Sequence, residues 1–108
     1  MVSLHLKLNR DTRGMITPAD LAAMRADALL VNTSRAELIR PGALLDALDA
    51  GRPGAAALDV FENEPEGASA YQTHPRVLAT PHIGFVEKDT YELYFSTAFR
   101  QVREFFAA

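Results

Sequence analysis

The sequence predicts an α/β protein: a parallel sheet of about four strands, short crossover helices and a long aromatic C-terminal helix. Three observations carry this prediction. Four short apolar segments, Val2–Leu6, Ala28–Val31, Ala55–Leu58 and Val77–Ala79, alternate with helix-start signals, which is the pattern of crossover units. The last three each run into a polar signature: Asn32-Thr33-Ser34-Arg35, then Asp59-Val60-Phe61-Glu62-Asn63-Glu64-Pro65, then Thr80-Pro81-His82-Ile83-Gly84. From about Val86 to Phe106 neither glycine nor proline intervenes.

Val2–Leu6 reads as a buried strand with one polar interruption at His5, and the polar stretch Lys7–Met15, holding Gly14, reads as a loop. Thr17-Pro18 gives a helix start: threonine as N-cap, proline at the first helical position, and Asp20 near the positive end of the dipole. That helix is expected to reach about Arg25. Pro41 is expected to open a second helix, with Leu44, Leu45 and Leu48 on one side and Gly51 at its C-terminal stop. After Ala55–Leu58 a long irregular stretch holds Pro65, Gly67 and Pro75. In the terminal helix, Tyr91, Tyr94, Phe95, Ala98, Val102, Phe105 and Phe106 fall on one face. All aromatics except Phe61 and Tyr71 lie from Phe85 onward. Such a face needs a cover, either this chain's own sheet or a partner.

Composition narrows the function classes. At 108 residues the chain is one small domain, with 48% hydrophobic and 23% charged residues, ordinary for a soluble protein. A net charge of −3 offers no footprint for nucleic acid. No apolar run is long enough for a membrane span and no signal peptide is visible, so the expected location is cytoplasmic. The absence of cysteine excludes disulfides, thiolate metal sites and a cysteine nucleophile. His5, His74 and His82 are too scattered for a metal cluster.

In a parallel α/β sheet, ligands bind beyond the carboxyl ends of the strands, so the three signatures would gather along one edge. His82 there can exchange a proton near neutrality. Glu64, hydrogen-bonded to the far ring nitrogen, would fix its tautomer and stabilise the imidazolium. Arg35 offers a planar fork for a carboxylate. Asp59, closing an apolar strand, needs hydrogen-bond donors, and a ligand carboxamide would supply them. Each residue also has a plain alternative: a surface histidine, a solvated glutamate, an arginine in a surface salt bridge.

These motifs resemble the D-isomer-specific 2-hydroxyacid dehydrogenases, the family that includes phosphoglycerate dehydrogenase. The resemblance runs from Ser3-Leu4-His5-Leu6 through Thr12-Arg13-Gly14-Met15-Ile16, Leu29–Arg35 and Ala56–Pro65 to Thr80-Pro81-His82-Ile83-Gly84. It implies a partial Rossmann-type domain, NAD as cofactor, and interconversion of a small 2-hydroxy acid and a 2-keto acid. By the family's pattern Arg35 binds the substrate carboxylate, His82 passes the proton and Glu64 tunes His82. Asp59 meets the nicotinamide carboxamide, with Thr33 and Ser34 nearby and His5 toward the adenosine side. Where the family has glycine after the arginine, this chain has Ala36 and then Glu37, which are expected to crowd or partly neutralise the carboxylate site. Arg40 replaces the acidic cap of the following helix, and Lys7 a proline.

The resemblance also implies that residues 1–108 are the C-terminal half of a dinucleotide-binding domain, with 86–107 a helix that normally returns toward a substrate domain. The glycine-rich pyrophosphate loop is not among these residues. NADP stays open beside NAD, because the ribose-reading residue belongs to the other half. The expectation is a truncated dehydrogenase, inactive alone and doubtful as an NAD binder by itself. The alternatives are one half of a split enzyme and a non-catalytic oligomerisation module. Self-association, or contact with the missing domain, is expected through Tyr91, Tyr94, Phe95 and Phe105.

Overall fold

The computed structural model describes all 108 residues, Met1–Ala108. Strands β1 (Val2–Leu4), β2 (Leu29–Asn32), β3 (Ala55–Leu58) and β4 (Val77–Ala79) form one parallel sheet in the order β1-β2-β3-β4. The fold is α/β and Rossmann-like, as the sequence predicts. Helices α1 (Pro18–Ala22) and α2 (Ala43–Asp49) make the first two crossovers, α3 (Ser69–Gln72) belongs to the third, and α4 (Lys88–Ala107) ends the chain.

Burial follows the strand period of two. Leu30 and Ala56 sit side by side in the register, as do Leu4, Asn32 and Leu58, and all five are buried. They meet Leu21 of α1 and Ala43, Leu44 and Leu48 of α2 in one core cluster, Asn32 lying among them as the polar member. Fully burying leucines such as Leu21, Leu30 and Leu48 contributes about 1.5–3 kcal/mol each. The alternate row, Ser3, Val31, Ala57 and Leu78, remains half-buried or exposed.

Local chemistry explains where the elements stop. β1 ends at Leu4 rather than Leu6, because its pairing ends at Asn32, whose side chain turns the partner strand's exit. α1 is held by a capping box: Asp20 N–H donates to Thr17 Oγ1 and Thr17 N–H to the Asp20 carboxylate. It ends at Ala22, short of Arg25, whose guanidinium instead pairs with Asp27 at 2.7 Å in the following turn. α2 starts at Ala43, not Pro41, because the chain enters through Gly42 at φ +74°, in the left-handed region where a right-handed helix cannot continue. At its other end Gly51 takes φ +83°, and the amides of Gly51 and Arg52 close back onto Leu48 and Ala47 as a Schellman motif. The stretch expected to be irregular contains a 3₁₀ turn at Glu66–Ala68 and α3, and a second 3₁₀ turn spans Ala36–Leu38.

α4 decides between the two covers the sequence left open for the aromatic face. No residue of this helix is buried, so it does not pack on the chain's own sheet. Tyr94, Phe95, Phe99, Val102 and Phe105 are each more than half exposed. No helix is long and apolar enough to cross a membrane.

Candidate active site

The carboxyl ends of β2, β3 and β4 bring the three polar signatures together. Asn32 closes β2 and is 1% exposed. Its Nδ2 donates to the Arg35 carbonyl at 2.9 Å, and its Oδ1 accepts the Ser34 N–H at 3.1 Å. The loop is thereby folded over the strand end, with the Arg35 side chain directed outward and exposed. Ser34 Oγ donates to the Leu6 carbonyl at 2.8 Å, tying this loop to the exit of β1. The Arg35 guanidinium bonds only the Ser34 carbonyl and forms no ion pair.

Asp59 ends β3 and is 4% exposed. Its carboxylate accepts the Thr80 hydroxyl at 2.6 Å, the Ile83 N–H at 2.9 Å and the Gly84 N–H at 2.7 Å. Burial opposes its ionisation, but these three donors together outweigh burial and hold the carboxyl below the ordinary aspartate range. The donors thought to require a ligand thus come from the chain itself. Asp59 fastens the loop that carries His82.

That loop is tightly shaped. His82 occupies the left-handed region at φ +54°, with its N–H bonded to the Thr80 carbonyl. Its Nδ1 lies 2.7 Å from Glu64 Oε2, while Glu64 Oε1 accepts the Phe61 N–H at 2.9 Å. The hydrogen bond to His82 is the main reason the Glu64 carboxyl lies below its ordinary range, opposed by partial burial and helped by the Phe61 amide. Glu64 is thus ionised near neutrality and aimed at Nδ1, which leaves Nε2 as the free ring nitrogen.

Arg35, Glu37, Glu64 and His82 line one open cleft of about 490 Å³. Arg35 also borders a neighbouring space of about 640 Å³, shared with His5, Leu6 and Ser34 at the exits of β1 and β2. The structure therefore gathers Arg35, Glu64 and His82, sets Asp59 behind them, and places Ser34 and His5 on the adjoining side. Thr33 is exposed, and the His5 ring bonds Ser3 Oγ at 2.7 Å. The site has no cluster of metal-binding side chains.

The departures flanking Arg35 are accommodated. Ala36 opens a 3₁₀ turn and has no positive φ, so its methyl group is unstrained there. Glu37 lines the cleft without an ion pair to Arg35, so the expected neutralisation does not occur through direct pairing. Arg40 lies two residues ahead of Gly42, the N-cap of α2. Its Nε reaches the Gly14 carbonyl at 3.4 Å and its amide joins Ile16. Sequence reasoning missed Asn32 and Thr80 as the groups that shape the two loops. The available signal was a polar residue closing an apolar strand.

Comparison with known proteins agrees with this geometry. Residues 1–84 match the family described as D-isomer specific 2-hydroxyacid dehydrogenase, NAD binding domain. The D-3-phosphoglycerate dehydrogenase of Bacillus subtilis is 37% identical over 82% of this chain, and the dehydrogenase efuE of Hormonema carpetanum 34% over 98%. The chain spans only 17% and 26% of those proteins. The crystal structure of a phosphoglycerate oxidoreductase from Vibrio cholerae superposes with a TM-score of 0.83 and 50% identity, over 95% of this chain and 33% of that one. The NAD-complexed D-isomer specific 2-hydroxyacid dehydrogenase of Lactobacillus delbrueckii gives 0.73 and 33%, over 80% of this chain and 30% of that one.

Proposed function

Because the chain belongs to the D-isomer-specific 2-hydroxyacid dehydrogenase family and matches its NAD-binding domain, we propose that it provides the proton-transfer and carboxylate-binding half of a site that interconverts a 2-hydroxy acid and a 2-keto acid. The observation that carries this reading is the His82–Glu64 pair at 2.7 Å, facing the same cleft as an unpaired arginine.

In this reading the Arg35 guanidinium grips the substrate carboxylate with two parallel N–H bonds. His82 Nε2 faces the oxygen on the adjacent carbon. It gives that oxygen a proton when the keto acid is reduced and takes one back when the hydroxy acid is oxidised. Glu64 holds Nδ1–H and stabilises the imidazolium, so the histidine keeps one tautomer through the cycle. NAD, when bound, supplies or accepts the hydride at the same carbon.

The residues present fit one end of that cofactor. The space beside His5, Ser34 and Arg35 adjoins the cleft at the carboxyl edge of the sheet, where dinucleotides lie in such folds. Asp59 has about four acceptor positions, three of them filled from within, so one remains for the nicotinamide carboxamide. Ser34 borders the same region, and Thr33 precedes it in the loop. The pyrophosphate contacts come from a glycine turn that none of these 108 residues forms, so the chain alone is expected to be inactive. The aromatic face of α4 is the proposed contact surface for a second chain or a further domain.

The test is binding of oxamate, a 2-keto acid mimic, followed through the His82 ring and Arg35 side-chain resonances. Millimolar binding that moves both signals and weakens about tenfold in Arg35→Gln is the expected result. No movement of either signal would overturn the assignment.

A further inference from the structure

Within the cleft, Glu37 is the charged side chain that proton transfer and carboxylate binding leave without a task. It is the middle residue of the 3₁₀ turn Ala36–Leu38 and is held from both sides. Leu38 beside it is 1% exposed, and the Glu37 carbonyl accepts the Gly14 N–H at 2.8 Å. The backbone therefore sets where the side chain enters the cleft, half-buried and two residues beyond Arg35. Its carboxylate forms no ion pair and stands too far from the Arg35 guanidinium to join it. A half-buried acceptor with no charged partner in its own chain is open to a donor from outside.

The charges around it are uneven. One guanidinium and two carboxylates, those of Arg35, Glu37 and Glu64, line the cleft together with His82. Both oxygens of Glu64 are engaged, Oε1 by the Phe61 N–H and Oε2 by the His82 ring. A further cation, Lys7, borders the adjoining space with His5 and Ser34 and does not line the cleft. When Arg35 grips the carboxylate of a 2-keto acid, the one permanent cation of the cleft is neutralised and the two carboxylates remain. An imidazolium at His82 answers Glu64, not Glu37. A second anionic group on the same acid then meets Glu37 with no arginine or lysine left among the lining residues to offset it. A hydroxyl in that place donates a hydrogen bond instead. Juxtaposed like charges cost affinity even where opposite charges add little.

Taking the cleft as a 2-keto acid site, on which this inference rests, we propose that Glu37 selects the acid by charge. It admits an acid with a single carboxylate and a side chain that ends in a hydrogen-bond donor such as a hydroxyl. It turns away an acid that carries a second acidic group.

Two oxamate derivatives of similar size test this, N-(2-hydroxyethyl)oxamate and N-oxalylglycine, which end in a hydroxyl and a carboxylate. Their dissociation constants follow from the His82 and Arg35 resonances of the whole chain. The hydroxyl compound should bind about tenfold more tightly than the dianion. Glu37→Gln should shrink that ratio to about twofold and Glu37→Lys should invert it, with circular dichroism confirming that both variants fold. The ratio is the readout, because removing a negative charge strengthens the binding of every anion to some degree. Added salt should also narrow the ratio in the unaltered chain, since it screens partly exposed charges. Equal binding of the two compounds overturns the proposal, and so does a preference that survives Glu37→Gln. Oxamate itself separates the two assignments. If it binds and the derivatives do not differ, only the role of Glu37 falls; if it moves neither resonance, the assignment of Arg35 and His82 falls and that of Glu37 with it.

Discussion

At Gly84 an added methyl group would stand 2.9 Å from Asp59 Oδ2, on the bond that fastens the His82 loop. Gly84→Ala is therefore expected to loosen the loop, seen as line broadening at His82, while the core stays folded. Gly67 is harsher, since a Cβ there would fall 1.5 Å from the Glu62 carbonyl oxygen. Gly67→Ala should cost about 3 kcal/mol by chemical denaturation and displace Glu64 with its turn. Asp59→Asn keeps the shape but turns an amide N–H₂ toward a backbone N–H, and should cost about 2–3 kcal/mol. The folded-state pKa values of Asp59 and Glu64 both lie below their unfolded values. Their stabilisation is thus complete above pH of about 4–5 and lost as pH falls through the folded values. Urea midpoints measured against pH should fall along that acid limb, and less steeply in Asp59→Asn. Arg35, Glu64 and His82 were legible as one constellation because each follows a strand of a parallel sheet, although each alone has a plain alternative. It concealed the main duty of Asp59, because the amides that satisfy it belong to a loop distant in sequence.

Among the elements, the short helices depend on their ends. Thr17→Ala removes the capping box of α1 and should lower stability by about 1 kcal/mol, read as a shift in the thermal midpoint. Thr17-Pro18 and Gly51 marked their helix ends legibly because capping is local chemistry. Strand and helix limits that depend on a neighbour were not legible. β1 stops where Asn32 turns away from it, and α2 waits for Gly42 to change direction. α4 was legible as a helix from its spacing alone, but its lack of cover on this chain emerged only once the sheet was built.

Taken as a whole, the molecule is a one-sided sheet with a projecting rod. Since α4 buries nothing, a chain ending before Lys88 should keep the denaturation midpoint of the body. The rod is joined to the site by a run of rings: His82 to Phe85 at 5.9 Å, Phe85 to Tyr91 at 6.5 Å, then Tyr91 to Phe95 at 5.8 Å. A surface that covers this rod would hold its root as well, so that a ligand reaching His82 afterwards would meet a loop already ordered. Backbone order parameters at residues 82–86 should then rise when the aromatic face of α4 is covered, before any substrate is added.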